Sequence, residues 1–152
     1  MMNAAAPDTL TVLRRMLIAL ILIGLAGMIL DLVLLKHYES GFQILPLALL
    51  GIGLLATLWL ALGSGAARVH LFRSLMGLTV AVGLTGFLLH YQGSAEFQTE
   101  TYPDLAGWKL FLKVVTSTSP PALAPGAMVQ LGLLGLLATL RHPSLPPPDS
   151  KS

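Results

Sequence analysis

Two ionisable residues lie where an apolar run leaves them little access to water. Asp31 falls within GLAGMILDL, residues 24–32, and His90 follows the apolar part of GLTGFLLHY, residues 83–91. A charge at the centre of a bilayer costs roughly 2.5–3.5 kcal/mol, and less near the end of a span. A shared hydrogen bond lowers that cost for both groups. We therefore predict that Asp31 and His90 form an intramembrane polar pair between two helices.

Each of these residues follows two glycines at helical spacing. Gly24 and Gly27 precede the aspartate, and Gly83 and Gly86 precede the histidine, at positions that share one helix face. Small residues let membrane helices approach closely. The spacing predicts that both polar residues face neighbouring helices rather than lipid.

Further polar residues follow the first and third apolar runs. Histidine and carboxylate side chains together bind zinc, manganese or iron, and the candidate ligands for such a divalent metal are His37, Glu39, His90, Glu96 and Glu100. The chain has no cysteine pair and no HExxH motif, so no established ligand spacing supports the site. The alternative is that these side chains are solvated among lipid headgroups. No other cofactor is predicted.

The composition indicates what must hold these residues in place. Hydrophobic residues make up 55% of the 152 residues, charged residues only 11%, and the mean hydropathy is +0.78. Soluble domains carry about 25% charged residues. So few charged residues cannot cover a surface that faces water on all sides, and the composition predicts an integral membrane protein.

Four apolar runs are each close to the ~20 residues with which a helix crosses a bilayer. They cover residues 16–35, 42–62, 71–89 and 122–140. The predicted fold class is therefore all-α: an integral membrane four-helix bundle made of two helical hairpins.

Basic residues indicate the orientation, because they favour the cytoplasmic side of a membrane. In a four-span zigzag, one side carries Arg14, Arg15, Arg68, Arg73, Arg141 and Lys151, and the other carries Lys36, Lys109 and Lys113. This asymmetry predicts an inner (plasma) membrane protein with both termini in the cytoplasm. Residues 1–15 form the cytoplasmic N-terminal segment, and residues 141–152 form a proline-rich cytoplasmic tail.

The third loop, residues 90–121, is long enough to contain structure of its own. Within it, PDLAGWKLFLKVV, residues 103–115, has the pattern of a short helix with Asp104 as its N-cap. Lys109 and Lys113 share one face, and tryptophan and lysine suit the boundary between headgroups and acyl chains. We predict a short amphipathic helix at the outer interface.

Two short sequence matches suggest a tandem repeat of helical hairpins. Runs one and three share Gly-Leu-x-Gly, and runs two and four share GLLATL at residues 53–58 and 135–140. Tandem hairpins of this kind occur in transporters with parallel repeats. Because leucine, glycine and alanine dominate the chain, chance matches are the competing explanation.

No sequence feature predicts catalysis. The chain contains no GxSxG, Walker A or dinucleotide-binding motif, and its basic residues form no stripe that would bind nucleic acid. The leading hypothesis is a non-catalytic accessory or assembly subunit, with the lipid bilayer and another membrane protein or a second copy as partners. The alternative is a metal- or small-ligand-binding membrane protein. A small proton-coupled transporter using Asp31 is a third hypothesis.

Overall fold

The computed structural model describes residues 8–116 and 123–146. Three stretches lie outside the described residues, namely 1–7, 117–122 and 147–152. They include the end of the third loop, residue 122 at the predicted start of the fourth span, and the proline-rich tail from residue 147. Within the described ranges the chain forms five α-helices, listed in chain order: α1 Thr9–Leu34, α2 Gly41–Ala61, α3 Ala66–Thr101, α4 Gly107–Val115 and α5 Leu123–Ala138.

Three of these helices are long and apolar enough to cross a membrane, namely α1, α2 and α3. They cover all but the last residue of the first two predicted runs and the whole of the third, so the prediction of an all-helical chain with helices long and apolar enough to cross a membrane is confirmed for these three. The fourth run forms a shorter apolar helix, α5, of 16 residues. At 1.5 Å per residue α5 is roughly 24 Å long, somewhat shorter than a hydrocarbon core of about 30 Å.

Helix α3 differs most from its predicted boundaries. Apolar residues end at Leu89, but the helix continues to Thr101 through residues assigned to the third loop. Polar residues can continue a helix in water, because backbone hydrogen bonds do not depend on hydropathy. The helix ends at Thr101, and the C-cap residue Tyr102 adopts φ −134° and ψ 83°. A residue before proline is disfavoured in the helical region, and Pro103 follows.

Helix α4 is amphipathic, as predicted, but it begins later than the sequence pattern indicates. Its N-cap is Ala106, and Gly107 enters the helix with a φ of +55°. The predicted N-cap at Asp104 is therefore wrong. The helix begins only at Gly107, three residues beyond Asp104, and glycine adopts the positive φ found there without a side-chain clash.

The helices pack in a closed order: α1 on α2, α2 on α3, α3 on α5, and α5 on α1. The α3–α5 contact is the most extensive and depends on glycine. A Cβ atom added to Gly132 would lie 2.7 Å from the Met76 carbonyl oxygen, and one added to Gly83 would lie 2.9 Å from the Pro125 carbonyl oxygen. At these points one helix backbone rests directly on the other, as small residues permit in membrane helices.

Three buried threonines satisfy their hydroxyl groups on carbonyls one turn earlier in the chain. The hydroxyl of Thr57 donates to the Gly53 carbonyl at 2.6 Å, and that of Thr79 donates to the Leu75 carbonyl at 2.8 Å. Thr139 makes the equivalent bond at the end of α5. These three threonines are fully buried. Each therefore places a polar group in an apolar core without leaving its hydroxyl unsatisfied.

One end of the molecule, which we call the arginine end, joins the start of α1 to the chain that follows α5. Arg14 Nε donates a hydrogen bond to the Ala138 carbonyl at 3.0 Å. The Gly65 amide, between α2 and α3, donates to the Ser144 hydroxyl at 3.2 Å. Burial lowers the pKa of His142 below its ordinary value, and the nearby Arg14 guanidinium lowers it further. The first residues after α5 are thus held against the helices.

Candidate functional site at the histidine end

The opposite end, which we call the histidine end, holds His37 in a tight turn after α1. The His37 amide donates to the Leu32 carbonyl at 2.8 Å, and the Lys36 amide donates to the Val33 carbonyl at 3.0 Å. This is a Schellman motif, with Lys36 in the left-handed position at φ 52°. The motif reverses the chain immediately after α1. It turns the imidazole of His37 towards α3 rather than into solvent.

His90 meets His37 from α3. The two imidazole ring centroids lie 6.1 Å apart, and the ring planes differ by 28°. His90 lies one and two turns beyond Gly86 and Gly83, where α5 approaches α3 most closely. The structure therefore brings together two of the predicted site residues, from two different helix ends.

A small cavity opens beside this histidine pair, with a volume of about 40 Å³. Its lining comes from α1, α2, α3 and α5 and is apolar apart from the two histidines. Pro46 in α2 and Pro125 in α5 form part of its wall. Pro46 has no amide hydrogen, so it interrupts the hydrogen-bond ladder of α2 near this wall. A space of this size holds a single small species, such as one water molecule or one ion.

Met128 is a lining residue that no sequence signal indicated. It lies in α5, is only 4% exposed and faces the same cavity as the histidines. A methionine within an apolar run is usually a core residue. Nothing in the local sequence distinguishes it from the other methionines, since its relation to His37 and His90 depends on how α5 docks.

The predicted pair of Asp31 and His90 is not formed within the described residues. Asp31 is exposed on α1, and its carboxylate makes no hydrogen bond to a described side chain. The aromatic neighbour of His90 is His37. The reason is rotational: α1 packs through Ile21, Leu25 and Leu32, and this places Asp31 on its other face.

The predicted carboxylate ligands also remain apart from the histidines. Glu39, Glu96 and Glu100 are exposed. Within residues 8–116 and 123–146, no group of three or more histidine, aspartate or glutamate side chains lies close enough to hold a metal ion. Since α3 stays helical past His90, it carries Glu96 and Glu100 roughly 9 and 15 Å further along its axis.

Helix α4 forms a second feature at this end, packed against α3. Phe111 lies 6.1 Å from Tyr91 and 4.9 Å from Trp108, measured between ring centroids. The Lys113 ammonium lies over the ring of Tyr102, 5.3 Å from its centroid. Trp108 itself is 69% exposed. The helix thus presents both aromatic and cationic side chains to its surroundings.

Comparison with protein-family models, with curated proteins and with solved structures finds no match to this chain.

Proposed function

We propose that this protein is a small multi-pass inner-membrane protein that acts as a non-catalytic accessory or assembly subunit, packing against another membrane protein or a second copy of itself. In this proposal α5 is a fourth span that completes a four-helix bundle, and both termini are cytoplasmic. Helix α4 lies at the outer interface, where its aromatic and lysine side chains suit the headgroup boundary.

The observation that carries the proposal is the outward face of α1. Only 17% of the most apolar stretch of α1 is buried. One face of the helix is exposed along about four turns; we call it the open face, and its residues are Leu20, Ile23, Gly27, Leu30, Asp31 and Leu34. Exposed leucine and isoleucine are ordinary on a surface that meets lipid.

Gly27 and Asp31 are not typical of a surface that meets only lipid. A Cβ atom at Gly27 would meet no atom within 4 Å, so the fold of this chain does not require a glycine there. Asp31 places a carboxylate on the same face, one turn further along. A small residue allows a partner helix to approach, and a partner can supply the hydrogen bond that lipid cannot. Together they favour a helix–helix contact at the open face.

Site-specific crosslinking in native membranes tests this proposal directly. The chain contains no cysteine, so a single introduced cysteine carrying a photoactivatable group is unique. Ile23→Cys places the probe on the open face at a position 71% exposed, and Leu55→Cys places a matched probe on α2 at a position 67% exposed. We expect a protein adduct of discrete mass from position 23 and none from position 55.

Adding Asp31→Leu to the Ile23→Cys variant distinguishes a loss of the partner contact from a loss of folding. Polar contacts between membrane helices contribute about 0.6–2 kcal/mol, so the adduct should fall by roughly 3- to 30-fold at limiting protein concentration. The thermal stability of the isolated chain should not fall, because the Asp31 carboxylate makes no hydrogen bond to the described side chains. Lipid adducts alone at position 23, or an adduct unaffected by Asp31→Leu, would contradict the proposal.

Metal or small-ligand binding at the histidine end is the second candidate function, supported by the approach of His37 to His90. The carboxylates predicted to complete such a site do not join the pair. Proton-coupled transport receives no comparable support, since Asp31 faces away from the other helices.

A further inference from the structure

The cavity at the histidine end combines three side chains whose donor atoms suit one kind of metal. His37 comes from the turn after α1, His90 from α3 and Met128 from α5, and all three line the same small space. The remaining wall is formed by apolar residues and glycine. Two histidines and a methionine from three separate segments thus line one space that has no carboxylate among its lining residues.

We propose that His37, His90 and Met128 form a binding site for a single Cu(I) ion. Thioether sulfur is a soft ligand that favours Cu(I), and imidazole also binds copper well. Zinc and iron(II) also bind imidazole, but their protein sites are most often completed by further histidine, thiolate or carboxylate ligands, and manganese favours carboxylate oxygen; this lining offers none of these beyond the two histidines. A monovalent ion held by three neutral ligands also brings less charge into an apolar wall than a divalent ion would.

The spacing of the histidines is compatible with one ion between them. A metal bound about 2 Å from each of two imidazole nitrogens places the ring centroids up to roughly 6 Å apart. The observed separation of 6.1 Å lies at the upper end of this range, with ring planes that differ by 28°. The cavity volume of about 40 Å³ accommodates the ion but not a larger ligand.

The proposed ligands differ in their exposure, and this difference separates entry of the ion from its retention. His90 is exposed, so it lies at the mouth of the cavity where an ion enters from water. Met128 is almost fully buried and forms the inner part of the site. Burial of the sulfur limits competition from water for the third ligand position. This site differs from the predicted five-residue metal site in its ligands and its metal, and it does not depend on an assembly role.

Anaerobic competition titration of the full-length protein in detergent, with a chromophoric Cu(I) chelator, tests the site. We expect one Cu(I) per chain, with His37→Ala and His90→Ala each weakening binding by at least about tenfold. Met128→Leu nearly conserves volume and is expected to weaken binding about tenfold while the protein stays folded by circular dichroism. X-ray absorption should show one sulfur ligand in the parent and none in Met128→Leu.

Matched controls come from the same residue types elsewhere. Met76→Leu removes another buried methionine, which lies outside the cavity, and His142→Ala removes a histidine at the arginine end. Both should bind Cu(I) as the parent does. The proposal is overturned if the folded parent binds no Cu(I), if the double variant lacking both cavity histidines still binds one equivalent, or if Met128→Leu changes neither the affinity nor the sulfur signal.

Discussion

The two Gly-Leu-x-Gly segments of this chain look alike in sequence and have different surroundings in the structure. In α3, Gly83 lies under the backbone of α5, and a Cβ atom added to Gly86 would lie 3.6 Å from the Pro125 ring. In α1, Gly27 faces open space. The polar residue that follows each segment resembles the second glycine of that segment in its surroundings. His90 meets another residue of the chain, whereas Asp31 points outward.

The difference arises from the way α5 contacts its two neighbours. Against α3, α5 presents backbone atoms, and the contact cannot be relieved by moving a side chain. Against α1, α5 presents the end of the Leu131 side chain to Gly24, which a change of rotamer can move. A glycine pair therefore marks a helix contact only where a second backbone reaches it. In α1 only Gly24 meets a side chain of α5, and the surface around Gly27 remains available to a partner.

The largest expected difference is between two variants that each add one methyl group, Gly83→Ala in α3 and Gly27→Ala in α1. In Gly83→Ala the new Cβ would lie 2.8 Å from Val129 Cγ2 and 2.9 Å from the Pro125 carbonyl oxygen, so the α3–α5 contact must open. We expect a loss of about 1–3 kcal/mol in the free energy of unfolding. Gly27→Ala should leave stability unchanged or raise it by up to about 1 kcal/mol, because alanine favours the helix.

Thermal or denaturant unfolding in detergent measures this pair of variants side by side. Equal losses for Gly83→Ala and Gly27→Ala would show that the two segments have equivalent surroundings, contrary to the structure.

A smaller effect is expected from the adjacent arginines at the other end of α1. Arg14 donates to the Ala138 carbonyl at 3.0 Å and to the Leu140 carbonyl at 3.4 Å, so it caps the C-terminal end of α5. Arg15 is exposed. Arg14→Gln should cost about 1–2 kcal/mol of stability, since hydrogen bonds from charged donors to helix ends are among the stronger ones.

Arg15→Gln is the matched control and should change the unfolding free energy by less than about 0.5 kcal/mol. Limited proteolysis after residue 138 gives an independent readout, because release of the C-terminal residues should accelerate cleavage only in Arg14→Gln. Similar behaviour of both variants would mean that the Arg14 contacts do not hold α5 in place.

The smallest effect concerns the pH dependence of stability at the arginine end. The pKa of His142 is lowered from its ordinary value of 6.5 in the folded protein, so the native state binds fewer protons than the unfolded state. Stability should therefore rise with pH up to about 6.5 and fall as the solution becomes more acidic. His142→Gln should flatten this part of the profile relative to the parent. An unchanged slope would show that other groups account for it.

Hydropathy was sufficient to predict the helices but not all of their ends. The first three runs each form a helix of spanning length to within one residue of the predicted C-terminal end or beyond it, because roughly 20 apolar residues in lipid must satisfy their backbone groups internally. Hydropathy could not predict the end of α3 at Thr101, because the helix continues through polar residues beyond the apolar run and ends just before Pro103. Asp104 does not cap α4 because the helix begins three residues further along, at Gly107 with its positive φ.

The candidate site was predictable in part. His37 and His90 were both named as site residues, since histidines at the ends of apolar runs are uncommon enough to notice. Met128 was not, because one methionine in an apolar helix has no distinguishing local pattern. Whether the two hairpins arose by duplication stays a prediction. The GLLATL glycines, Gly53 and Gly135, both pack against Met76, and this contact is expected of any glycine that faces a central helix.

By itself the sequence determined that the chain is helical and apolar enough for a membrane, because length, hydropathy and charge act locally along each helix. Only the tertiary structure decided which glycines are covered, which histidines meet and where Asp31 points. These depend on the rotation of each helix about its axis, and a rotation of about 100° separates one residue from the next. Two segments with the same spacing can thus have opposite roles, according to which face the next helix reaches.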